Sequence, residues 1–217
     1  MAAIFGPSAN LASRVALIAV FAIFVGVLGW WWLWPRTDYE RNVRWIVEQP
    51  VPFSHEHHVA GLGIDCRMCH TAVEVSANAG LPPTYTCMTC HSQIWTNAAL
   101  LEPVRRSLAD DKPIVWHRVT NLPDYVYFNH SIHIAKGVGC SECHGVVDTM
   151  PLMYKAKSLT MKFCLECHNN PGPRLRPASE IYNTEWQRTK DTPSPATLLA
   201  EYHIPSRPLN ECSICHR

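Results

Sequence analysis

The stretch FNHSIHIAKGVGCSECHG, Phe128–Gly145, followed by CLECHN at Cys164–Asn169, decides the fold. It holds two copies of Cys-x-x-Cys-His behind two histidines three residues apart. That spacing is the attachment signature of c-type haem, because two thiols add to the two vinyl groups on one porphyrin edge and the adjoining imidazole then lies under the iron. Working outward, the signature occurs five times, at Cys66-Cys69-His70, Cys87-Cys90-His91, Cys140-Cys143-His144, Cys164-Cys167-His168 and Cys212-Cys215-His216, and it uses all ten cysteines. Zinc knuckles need two Cys-x-x-Cys pairs per tetrahedral site, so five pairs is the wrong parity. A disulfide framework would not need a histidine after every second cysteine either. The spacing therefore predicts five covalently bound c-type haems.

Upstream, FSHEHHVAGLGIDCRMCH (Phe53–His70) repeats the same plan: Phe-x-His-x-x-His, a short link, a first motif, then a second after a similar gap. Phe53 to Cys66 is thirteen positions and Phe128 to Cys140 is twelve. The chain reads as an internal duplication of a two-haem module. The expected fold class is a multihaem cytochrome c: mainly short helices and loops wrapped round five haems, little strand, and one N-terminal transmembrane helix.

That helix is VALIAVFAIFVGVLGWWWLW, Val15–Trp34, twenty residues without a charge. At about 1.5 Å per residue it spans roughly 30 Å, the hydrocarbon thickness of a bilayer, and its tryptophans suit the headgroup boundary. A cleaved signal peptide would have a shorter apolar core and a small-residue cleavage site, which does not follow Trp34. Arg14 precedes the span while Arg36, Arg41 and Arg44 follow it, so local charge favours the opposite orientation. Large domains translocate regardless of such charge, and covalent haem attachment belongs to the outer, oxidising side of the bacterial membrane. The expected location is the inner membrane, single-pass, with the N-terminus cytoplasmic and the haem domain periplasmic.

The expected organisation is a cytoplasmic segment 1–14, the span 15–34, a stalk 35–52, a first two-haem module 53–96, a connector 97–127, a second module 128–170 and a proline-rich arm 171–217 carrying the fifth site. Seven prolines between Pro171 and Asn210 suggest an extended arm, and Leu100, Leu101, Val104 and Leu108 suggest a short helix in the connector. A formal charge of +1 and the lack of basic runs interleaved with aromatics exclude a nucleic-acid partner.

Five irons have ten axial positions. His70, His91, His144, His168 and His216 fill one each, and His55, His58, His130 and His133 supply a distal ligand to each iron of the two modules. His57, facing Ile132 in the duplicate, has no counterpart and is expected to be free. The tenth position lies between His117 and His203 or a methionine among Met150, Met153 and Met161. His117 is favoured and Met161 is the main alternative. A methionine there would raise the potential of that site. With every position filled, no iron is open to substrate, and the chain carries electrons without bond chemistry.

The FSHEHH and FNHSIH segments resemble those of the cytochrome c3/c7 class, in which the first histidine of the pair serves the nearby haem and the second serves another. PIVWHRVTNLPDYVYFNHSIHI, CSECHG, LTMKFCLECHN and the terminal CSICHR resemble the pentahaem subunit of bacterial alternative complex III over nearly all of the chain after the anchor. The resemblance implies a complex that oxidises menaquinol or ubiquinol and passes electrons to periplasmic carriers or a terminal oxidase. It implies partners in an iron-sulfur/molybdopterin-like subunit, polytopic quinone-binding subunits, a monohaem cytochrome and membrane lipid. Thr120 departs from the family, which carries a histidine after the basic-Val pair, and His117 is the compensating candidate. Two other readings compete. A stand-alone membrane quinol dehydrogenase would place its first motif nearer the span than the thirty-one residues between Trp34 and Cys66. A multihaem reductase would keep one open iron and an attachment motif ending in lysine.

Overall fold

The computed structural model describes residues 6–216, so residues 1–5 of the expected cytoplasmic segment and Arg217 of the expected arm lie outside the described residues. The chain divides into two compact units after Val43. The first is built on α1 (Pro7–Leu33), whose opening proline gives up an N–H that has no partner in the first turn anyway. At 27 residues α1 is about 40 Å long, and it is long and apolar enough to cross a membrane. It starts earlier than the expected span and stops where Pro35 cannot continue the ladder, passing into a 3₁₀ turn, Trp34–Arg36. There Trp30 and Trp34 stack at 4.6 Å, and the Arg36 guanidinium lies 3.7 Å from the Trp32 ring centre while donating to the Trp32 carbonyl.

The second unit, from Arg44 onward, is a succession of short helices. Among its described residues, backbone pairing outside helices is limited to isolated antiparallel bridges, Ile46–Tyr154, Val126–His216 and Val138–Leu175. Four motif segments form single turns or short helices: α2 (Cys66–Cys69), α3 (Thr84–His91), α6 (Ser141–His144) and α7 (Met161–Asn169). Asp65 caps α2 by accepting from the Arg67 N–H at 2.8 Å, and Thr160 caps α7. The connector forms α4 (Glu102–Ala109), with Pro103 in its first turn and Val104 buried. α5 (His130–Ala135) carries the histidine pair of the second module. In the first module the pair sits on a π-helical turn, Glu56–Gly61, entered from His55.

Two segments behave differently from the sequence expectation. Residues 44–52 of the expected stalk are tied to the second unit, since the Arg44 N–H donates to the Lys155 carbonyl at 2.8 Å and Val51 is buried. The proline-rich segment is not an extended arm. It folds into 3₁₀ turns at Gly172–Arg174 and Ala178–Glu180 and into α8 (Pro195–Glu201), ahead of α9 (Cys212–Cys215). Leu175, Arg176, Ile181, Thr184 and Leu198 are buried there. Prolines at the first positions of such turns start helices rather than breaking them.

Arg176 organises that packing. Its side chain is 2% exposed. Nη2 reaches the Glu142 carboxylate at 3.0 Å and Ser141 Oγ at 3.1 Å, while Nη1 donates to the Asn183 carbonyl at 2.9 Å. Gly139 makes room for it, since a Cβ at that position would lie 2.2 Å from the guanidinium carbon. The proline-rich segment thus clamps the backbone leading into Cys140.

Candidate haem sites

The buried aliphatic core of the described residues is small, comprising Val51, Val73, Val104, Met150, Leu175, Ile181 and Leu198. Protein atoms alone supply little of the apolar interior that a unit of this size needs. What the structure does gather is histidine. Given a metal–nitrogen bond of about 2.0 Å and about 1.2 Å from that nitrogen to the ring centre, two imidazoles on opposite sides of one iron have centres about 6.4 Å apart. His58 and His91 stand 6.2 Å apart, His130 and His144 6.3 Å, and His133 and His168 6.2 Å. Each pair joins a motif histidine to a member of a Phe-x-His-x-x-His segment.

His55 is the remaining member of the first histidine pair. Burial pushes the His55 imidazole down to about 4, and His70 is foremost among the charges acting on it, ahead of His58 and His144. Burial likewise holds His144 down to about 4, with His130 and then His70 contributing, and lowers His133. A neutral imidazole is the form that binds a metal.

The second ring nitrogen is fixed at most of these positions. Nδ1 lies 2.8 Å from the Ser54 carbonyl in His58, 2.8 Å from Gly80 in His70, 3.3 Å from Ile94 in His91 and 2.8 Å from Ala77 in His130. It lies 2.7 Å from Asn129 in His133, 2.8 Å from Leu209 in His168 and 3.1 Å from Tyr125 in His216. A carbonyl can only accept, so Nδ1 must carry the proton and Nε2 is left with its lone pair, the arrangement metal-binding histidines adopt. His55 differs, because its Nδ1 is buried without a partner among the described residues.

The duplication extends to the aromatic supports. Phe53 stacks on His58 at 4.4 Å and 25°, and Phe128 on His133 at 4.4 Å and 26°. The same phenylalanines meet His55 and His130 edge-on at 5.0 and 4.8 Å. Spacing alone does not assign a role to these rings, although their matched offsets in the two modules are its signal.

The remaining candidates separate by their surroundings. His117 is exposed, yet its Nδ1–H donates to the Glu48 carbonyl at 2.7 Å, and its backbone is gripped on both sides by the Gln49 amide. His57 and His203 make no ring bond of this kind among the described residues, and His203 sits in a left-handed backbone position after α8. Met150 is buried in the core, while Met161 is exposed at the start of α7.

The most buried cysteines, those of the third motif, are held as neutral sulfurs. None of the ten is joined to another. Burial pushes the Cys140 thiol up to about 11 and the Cys143 thiol up to about 12. Metal-binding or redox thiolates are shifted the other way. Among the described residues no three His, Cys, Asp or Glu side chains converge as a bare metal ion would require. Imidazole pairs at iron-spanning distance beside paired, unbridged thiols fit thioether-bound haem, and the proximal and distal histidines named above would hold it.

No protein-family model matches the chain. It is 32% identical over 123 residues to the menaquinone reductase multihaem cytochrome c subunit of Nitratidesulfovibrio vulgaris, a match covering 56% of this chain and 55% of that protein. The chain thus spans about half the length of the curated relative it matches. That similarity, the helical fold without strands among the described residues and the ten cysteines together point to a multihaem c-type cytochrome with covalently bound haems and a candidate N-terminal membrane anchor.

Proposed function

We propose that this chain is a membrane-anchored pentahaem cytochrome c that relays electrons within a quinol-oxidising complex of the alternative complex III type, towards a periplasmic acceptor. The observation that carries the reading is the set of imidazole pairs about 6.2 Å apart, each beside an attachment motif. Bound there, the haems supply reversible one-electron transfer. The chain's part is to hold two imidazoles to each iron, fix their tautomers and keep water from the iron. His55 with His70, His58 with His91, His130 with His144 and His133 with His168 serve four irons. His117 is assigned to the fifth, with His216, because its Nδ1–H is fixed by a backbone carbonyl as in seven of the other ligands.

α1 anchors the chain, and residues 44–216 stand on the periplasmic side. Quinone chemistry belongs to partner subunits: an iron-sulfur/molybdopterin-like protein, a polytopic quinone-binding protein and a monohaem cytochrome. The name of the relative supports a second reading, in which the parent complex reduces menaquinone. Intact mass of the mature chain should show five haem additions. The complex purified gently from membranes should reduce a c-type acceptor with menaquinol or ubiquinol. Zinc in place of haem iron would overturn the reading, and quinone reduction without quinol oxidation would favour the second one.

A further inference from the structure

Resting on the five-haem reading, we infer that the attachment sites follow one another in space in the order second, first, third, fourth, fifth, so that the Cys87–His91 and Cys212–His216 sites are the two ends of the row. Four links on the page carry this, each a single element shared by two sites.

The first and second sites share the turn that begins at His55, assigned above to the first iron, and continues to His58, which faces His91. The first and third share the loop after His70. The Gly80 carbonyl holds His70 Nδ1 at 2.8 Å, and three residues earlier the Ala77 carbonyl accepts both His130 Nδ1, at 2.8 Å, and the His130 backbone N–H, at 3.3 Å. The Ser131 N–H adds a bond to the Ser76 carbonyl at 3.2 Å. The third and fourth share α5, whose His130 faces His144 and whose His133 faces His168. The fourth and fifth share the approach to α9. His168 Nδ1 donates to the Leu209 carbonyl at 2.8 Å, the Leu209 N–H returns a bond to the His168 carbonyl at 3.1 Å, and Asn210 bonds Asn169 at 3.1 Å.

Five sites joined by these four links form an unbranched row. The order departs from the chain order only in the first module, where the site attached first lies inside and the second lies at the end. The second and third sites, neighbours in the chain's numbering, are separated by the first.

Cryo-electron microscopy of the haem-loaded full chain in its complex tests the order through the iron positions. The expected result gives the first-site iron two neighbours, the second and third, and the second-site iron one. A second-site iron nearest to the third, or a first-site iron at an end, overturns the order. A potentiometric titration supplies an independent reading. His58→Met, at an end site, should raise the potential of that centre and shift one other, whereas His133→Met, at an interior site, should raise one and shift two. Equal numbers of shifted centres in the two variants would also overturn it. Five haem additions by mass with a different iron order would sink this inference alone, while a wrong haem count would sink the reading beneath it.

Discussion

Replacing Arg176 by methionine keeps most of the side-chain volume and removes the guanidinium that is 2% exposed between Glu142, Ser141 and the Asn183 carbonyl. Breaking a buried ion pair from one side costs about 3–5 kcal/mol, because the partner charge stays behind without its counterion. The Glu142 side chain is 26% exposed, so water recovers part of its solvation and the loss falls at the lower end, about 3 kcal/mol. For a domain of this size that corresponds to roughly 6–12 °C in melting temperature. The assay is thermal unfolding of the haem-loaded chain in detergent, followed by circular dichroism in the far ultraviolet and in the Soret band. Arg176→Met with Glu142→Gln should recover about 1–2 kcal/mol, since the stranded carboxylate is neutralised. A drop below about 2 °C in the single variant would refute the view that the proline-rich segment is held against the third site by this contact.

His117→Ala should convert one low-spin ferric centre into a high-spin one, and His203→Ala should leave the spectrum unchanged; electron paramagnetic resonance reads both. Phe128→Leu removes the ring stacked on His133 and should cost about 0.5–1.5 kcal/mol in chemical unfolding, together with a shift in the low-spin signal of the fourth site as the imidazole turns. Asp65→Ala removes the cap of α2 and should cost about 1 kcal/mol in the same assay. The Arg67 side chain and N–H hold the Asp65 carboxyl below the usual carboxylate range, so its contribution is full above about pH 4 and is lost as pH falls through the lower folded value. Because Arg67 and Asp65 are half exposed, solvent screens the pair and the acid-dependent part should be the smaller share of the loss.

The Cys-x-x-Cys-His spacing and the repeated Phe-x-His-x-x-His were legible in the sequence because both are local: they depend on residues a turn or two apart. The apolar run of α1 was legible for the same reason. The fate of the proline-rich segment was not. Its prolines read as breakers, whereas its packing depends on Arg176 meeting Glu142 thirty-four positions away and on a glycine at 139 that leaves room. Nor could spacing show that residues 44–52 are tied to Lys155 and its neighbours, a pairing made by backbone atoms that any sequence possesses. The grip on His117 was hidden in the same way. Its acceptor is the Glu48 carbonyl, sixty-nine positions back.

The acceptors that steady the imidazoles are main-chain oxygens, at Glu48, Ser54, Ala77, Gly80, Ile94, Asn129, Leu209 and Tyr125. Exchanging the side chain at any of these positions leaves the oxygen where it is. Adding or deleting one residue nearby moves it by more than 3 Å and strands the ring it served. Such a protein tolerates point changes along these loops far better than changes in their length.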